Sequence, residues 1–214
     1  MFVGRRMTRS VVTVTRETSV LAVRNILQEH QFNQVPVVDG KRVVGIITDG
    51  DIRENSASPA STLSVHELNY LLSEMKAGDI MTKDPVTVTP ETPIEAAAEV
   101  INRRNIGSLP VVSGGELVGI IATSDLLNVL LEVMGMGTPS SRIELTVPSD
   151  MGELEKIAGI VKARGLTIIS MVSSVSKGDP GSRLAVIRVN TEDVKDLCKA
   201  LRDAGYRVTT RYEE

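Results

Sequence analysis

Aromatic residues are scarce in this 214-residue chain, which has no Trp, three Tyr and two Phe. Surfaces that grip single-stranded nucleic acid need stacking aromatics on a basic face. The basic face is missing too, since 24 Lys and Arg stand interspersed with 27 Asp and Glu for a net charge of −3. Nucleic acid is therefore not an expected partner. With Cys198 as the one cysteine, no internal disulfide can form, which fits a reducing compartment. No apolar run approaches the roughly 18–20 residues that a membrane span needs. Residues 1–6 are charged but lack a following apolar region, so a signal peptide is not expected. These readings predict a cytoplasmic protein with no membrane partner. The two histidines, His30 and His66, lack metal-ligand spacing, and no nucleophile–base pair or catalytic carboxylate pair stands out. No metal site and no catalytic residue are expected.

What is present is a repeat. A shift of 74 positions lays Met7-Thr8 on Met81-Thr82, Val35-Pro36-Val37-Val38 on Leu109-Pro110-Val111-Val112, and Gly45-Ile46-Ile47 on Gly119-Ile120-Ile121. Without a gap, about 18 of the 45 positions from Met7 to Asp51 are identical, so the two copies share one fold. Each copy reads as strand, helix, strand, strand, helix. Val12-Thr13-Val14 alternates like a strand. Thr92-Pro93-Ile94-Glu95 reads as a helix start, with Thr as N-cap and Pro at the first helical position. Two β-branched runs, residues 34–38 and 42–48, meet at Asp39-Gly40, a pair suited to a tight hairpin. The second copy has Ser113-Gly114-Gly115 there, then a helix from about Ser124 to Met134. Neither copy has apolar faces enough for its own core, so the two are expected to pack with pseudo-twofold symmetry. Residues 56–62 read as a linker, and a short helix carrying Leu68, Leu71 and Leu72 leads into the second copy.

Beyond the Gly- and Pro-rich stretch 135–140, the clearest boundary, the repeat does not recur. Residues 142–147 alternate as a strand, and Asp150 and Glu153 have capping-box spacing ahead of a helix with the stripe Leu154, Ile157, Ala158 and Val161. Two strands flank the turn signal Lys177-Gly178-Asp179-Pro180-Gly181. A helix with Val194, Leu197, Cys198 and Leu201 on one face precedes a final strand over residues 206–211. The order β-α-β-β-α-β is the ferredoxin-like plan. The predicted class is α+β, with a module over 1–137 (copies at about 7–56 and 77–135, joined by 57–76) and a ferredoxin-like domain over 141–214.

The repeat, with Val-Pro-Val-Val followed by Gly-Ile-Ile-Thr-Asp-Gly-Asp, resembles a pair of CBS motifs, or Bateman module. The last segment resembles an ACT domain, and the order CBS–CBS–ACT is similar to the acetoin-utilisation B protein (AcuB-like) group. The resemblance implies a regulatory ligand of adenosine type, such as AMP, ATP or NAD, rather than an obligatory cofactor. It also implies a homodimer and an ACT domain that senses an amino acid or dimerises.

In CBS modules a Gly-x-x-Thr/Ser-x-x-Asp stretch ends a strand and opens a helix, where the hydroxyl meets phosphate and the Asp carboxylate accepts from ribose hydroxyls. Carried over, it makes Thr48 and Asp51 binding residues. The same spacing is that of a plain capping box, so the motif by itself fits either role. The second copy keeps Asp125 but has Ala122 in place of the Thr, which makes its site the weaker one. Adenine is expected on apolar wall that includes Val37 and Val111, with polar contacts from Thr13 and Thr87. The cation often found before the Val-Pro stretch is absent, and Arg9, Arg53, Lys83 or Arg104 would have to meet a triphosphate. A monophosphate or dinucleotide is favoured on that ground. In the last segment Asp150, Met151 and Gly152 match part of the turn that holds effectors in ACT domains, with Met151 in place of its Pro. The expected function is a non-catalytic regulator that senses an adenosine-type nucleotide. The alternative is a ligand-free scaffold that controls a metabolic enzyme by contact, in which Thr48 and Asp51 merely cap a helix.

Overall fold

The computed structural model describes residues 1–56, 64–150, 152–176 and 179–210. Most of the expected linker, Lys177-Gly178 and Arg211 lie outside these residues. The chain divides into two compact units, Met1–Leu127 and Asn128–Glu214, and the division falls inside a helix rather than in the 135–140 stretch.

In the first unit, copy one comprises α1 (Val20–His30), β1 (Gln34–Asp39), β2 (Arg42–Thr48) and α2 (Asp49–Glu54). Then come α3 (Val65–Glu74), α4 (Ala77–Ile80) and β3 (Thr82–Lys83). Copy two follows with α5 (Ile94–Arg104), β4 (Ser108–Ser113), β5 (Glu116–Ala122) and α6 (Thr123–Val133). The hairpins β1–β2 and β4–β5 are antiparallel and carry the same irregularity, at Val37/Val38 and at Val111/Val112. Gly40 and Gly114 turn them at φ of 60° and 59°, which glycine adopts without strain. Each first helix ends on a left-handed residue, Gln31 or Asn105.

The opening segment of each copy crosses to the other. Thr8 and Ile120 exchange backbone hydrogen bonds at 2.9 and 3.0 Å, and β3 pairs Thr82 with Ile46 of β2. Each segment then returns to its own copy, through parallel bridges Val14–Val37 and Val88–Val111. That exchange is the pseudo-twofold packing. It leaves residues 12–14 a single bridge rather than the expected strand. Val14, Val35, Val37, Ile47 and Ile52 form the buried core of copy one, and Met81 from the crossing segment completes it. Each such side chain contributes roughly 1.5–3 kcal/mol by leaving water.

The expected Thr92 cap does not form. Helix α5 starts at Ile94 behind Pro93, and the Thr92 hydroxyl instead accepts the Thr89 N–H at 3.1 Å. In copy one, Ser19 caps α1 by accepting from the Ala22 N–H.

The second unit orders β6 (Ser141–Pro148), α7 (Glu153–Lys162), β7 (Ile168–Ser176), β8 (Asp179–Val189), α8 (Lys195–Asp203) and β9 (Arg207–Thr209). Its antiparallel sheet has the order β7-β8-β6-β9, the ferredoxin-like arrangement, and both helices pack into one core. Leu197, Cys198 and Leu201 are buried there, which gives the cysteine a packing role. The Asp150–Glu153 capping box is not formed. Gly152, at φ 92°, is the N-cap with no side-chain cap bond, because Glu153 points inward and Tyr206 donates to it at 2.8 Å. Leu154, expected in the stripe, is exposed. The boundary stretch is fastened at both its ends within this unit: the Met134 carbonyl just before it accepts from Ser170 at 2.9 Å and from Arg188 at 3.1 Å, and Arg188 also donates to the Ser140 hydroxyl at 3.1 Å.

Candidate functional site

The crossing of opening segments creates two clefts in the first unit, each assembled from both copies. The larger, about 590 Å³, is lined by Thr8, Ser10, Val12, Gln34 and Pro36 of copy one with Ile120, Ala122 and Asp125 of copy two. The smaller, about 290 Å³, repeats this with the copies exchanged: Thr82, Asp84, Val86, Ser108 and Pro110 stand with Ile46, Thr48 and Asp51. The larger is well within the range of ordinary ligand pockets and the smaller lies at its lower end. The fold thus pairs each aspartate with the Pro-containing strand of the opposite copy, Asp125 with Pro36 and Asp51 with Pro110.

At Thr48 the capping box is complete. Asp51 Oδ2 accepts from the Thr48 backbone N–H at 2.7 Å and from its hydroxyl at 2.8 Å, while Thr48 Oγ1 accepts the Asp51 N–H at 3.1 Å. In copy two, Asp125 Oδ2 accepts the Ala122 N–H at 2.8 Å, and no hydroxyl is present to return the bond. Thr123 does not replace it, since its hydroxyl donates to the Gly107 carbonyl at 3.1 Å. Among the described residues Oδ1 of neither aspartate accepts a hydrogen bond, and each aspartate lines its cleft. Both aspartates are half-buried, the setting in which a carboxylate can meet a pair of hydroxyls without full desolvation.

Val37 and Val111, expected on the apolar wall, line neither cleft. Both are 0% exposed and belong behind the wall, while Pro36 and Pro110 line it. The cause is the strand period, which turns alternate residues to opposite faces. Thr13 and Thr87 line neither cleft; Val12 and Val86 do. Of the four cations considered for phosphate, Arg53 lines the larger cleft, where it also pairs with Asp49 at 3.1 Å. Arg9 donates to the Gly4 carbonyl at 2.8 Å, and Lys83 and Arg104 are absent from both linings.

Four residues line both clefts: Thr48, which the sequence predicted, and Gln34, Gly107 and Ser108, which sequence reasoning missed. Ser108 is 3% exposed and its hydroxyl has no protein partner. The repeat did offer a signal, since Ser108 falls on Gln34 under the 74-residue shift.

In the second unit, Asp150 and Gly152 are exposed and line a cavity of about 480 Å³ together with Arg183. Met151 lies outside the described residues. Glu153 is buried at the edge of this cavity, bonded to Tyr206 and to Lys156 at 2.6 Å. The bond from Lys156, then that from Tyr206, holds its carboxyl below the ordinary range. Burial, followed by the Glu153 contact, pushes the Tyr206 phenol up to about 12. Among the described residues no group of three or more His, Cys, Asp or Glu could hold a metal, and no helix is long and apolar enough to cross a membrane.

A family model described as CBS domain matches residues 3–58 and 77–132, and one described as TTHA0829-like ACT domain matches residues 139–211. The chain is 36% identical over 121 residues to inosine-5'-monophosphate dehydrogenase of Korarchaeum cryptofilum, covering 55% of this chain and 22% of that enzyme. Among solved structures it resembles a Vibrio cholerae protein provisionally assigned to acetoin utilization (AcuB), at 26% identity and a TM-score of 0.53. That match covers 63% of this chain and 93% of the other. It also resembles CBSX2, solved in complex with AMP, at 29% identity and a TM-score of 0.52, covering 62% of this chain and 97% of that one.

Proposed function

This chain belongs to the CBS-domain family, two CBS motifs followed by an ACT domain, and from that premise we propose that it is a non-catalytic regulator that binds an adenosine-type nucleotide. The observation that carries this reading is the larger cleft, where Asp125 of copy two faces Pro36 and Gln34 of copy one. Asp125 Oδ1 accepts from ribose hydroxyls, and Pro36 and Val12 flank the base. The phosphate meets Arg53 and the N-terminus of α6, an 11-residue helix with Thr123 and Ser124 in its first turn. One cation, already paired with Asp49, suits AMP or a dinucleotide such as NAD better than ATP. The AMP bound by CBSX2 supports the adenosine class.

The domains, in this reading, are a CBS pair over 1–137 and an ACT domain over 141–214. The ACT domain binds an amino acid beside Asp150 and Gly152 or holds a homodimer together, and the protein acts in the cytoplasm on a target enzyme. Binding controls that target only through different affinities for two states of the protein.

The completed capping box at Thr48 and Asp51 favours a second reading, a scaffold with no physiological ligand. A thermal-shift panel of AMP, ADP, ATP, NAD and the common amino acids separates the two. Ligand at 100 times its dissociation constant adds about 2.7 kcal/mol and raises the midpoint visibly. A shift from an adenosine compound supports the sensor; no shift from any of them, in folded protein, supports the scaffold.

A further inference from the structure

We propose that the two clefts take different classes of ligand: the smaller one binds an adenosine-type nucleoside that carries no phosphate, neutral or cationic, while the larger binds the phosphate-bearing nucleotide. This rests on the nucleotide-binding reading above. Under the 74-residue shift, Ser10 of the larger cleft becomes Asp84 in the smaller, where it stands with Asp51. No Lys, Arg or His is among the described residues lining the smaller cleft. In the larger, Arg53 offsets one of two carboxylates. A phosphate entering the smaller cleft would face two carboxylates with no cation beside them to offset the repulsion. A hydroxyl-rich neutral nucleoside, or one with a positive substituent, meets instead a site of matching polarity.

The smaller cleft is also built to hold something. The Ser108 hydroxyl, 3% exposed and without a protein partner, lines it as well as the larger cleft, and such a buried group is costly when left unsatisfied. Buried Pro110 supplies apolar wall for a base, and Asp51 Oδ1 is left to accept from ribose.

The test is isothermal titration of the full chain with AMP, then with adenosine and S-adenosylmethionine on the AMP-saturated protein. The expected result is one AMP per chain, followed by one further equivalent of adenosine or S-adenosylmethionine. Asp51→Ala removes the second equivalent and leaves the AMP. Because Asp51 also caps α2, Asp84→Asn serves as the second variant; asparagine accepts the left-handed backbone of this position (φ 48°). It should tighten AMP at the smaller cleft by about tenfold, so that a second AMP equivalent appears. Two equal AMP sites in the wild type, or AMP binding with no further nucleoside, overturns this proposal and leaves the sensor reading intact. No binding by any of the three overturns both.

Discussion

The sulfur of Met7 occupies the space in which a side chain on Gly119 would stand: a β carbon built there would lie 2.5 Å from it. Met81 stands over Gly45 in the same way, so each copy's Gly-Ile-Ile stretch is roofed by the methionine that opens the other copy. The two glycines are needed for this close approach, and the methionines clamp the strands that end at Thr48 and Ala122.

Gly119→Ala should therefore destabilise the first unit by about 1–3 kcal/mol, the usual cost of overpacking. Urea denaturation of Gly119→Ala, Met7→Ala and the double variant measures it. The double variant should lose less than the sum of the singles, since the smaller side chain makes room for the added carbon.

Ala122→Thr should stabilise the protein by about 0.5–1 kcal/mol, because a hydroxyl at this N-cap can accept the Asp125 N–H as Thr48 accepts that of Asp51. A raised urea midpoint with an unchanged slope is the expected readout.

The Tyr206–Glu153 contact makes the second unit sensitive to pH at both ends. A phenol raised from its ordinary 10 to about 12 in the folded chain contributes stability present below pH 10 and lost as pH rises towards 12. Glu153, whose carboxyl is held low by Lys156 and then Tyr206, contributes stability present above its ordinary 4.5 and lost on acidification through its folded value. Tyr206→Phe should abolish the alkaline loss between pH 10 and 12, as followed by circular dichroism of the melting transition.

Much of this was legible in the sequence, and the failures are instructive. The repeat gave the hairpins, because Asp39-Gly40 and Ser113-Gly114-Gly115 supply the glycines that the turns require. Hydrophobic periodicity gave the second unit's element order, because the periods of two and 3.6 alternate between 141 and 209. The repeat could not show that Thr8 pairs with Ile120, since a repeat reveals likeness and not which copy packs on which. That Val37 and Val111 lie behind the cleft wall is not legible, because Val35 through Val38 are all apolar except Pro36 and leave no polar alternation to tell the two faces apart. The capping-box spacing misled at Asp150, where the burial of Glu153 against Tyr206, 53 residues away, outweighed a surface cap.

The central claim is that Asp125 holds the ribose of an adenosine nucleotide in the larger cleft. Calorimetric titration of AMP into the wild type and Asp125→Ala tests it most directly, with circular dichroism to establish that both are folded. Saturable binding weakened at least about tenfold in the variant, the loss of one or two hydrogen bonds to a charged acceptor, is the predicted result. Equal AMP binding by the two proteins, or none by either, would contradict it.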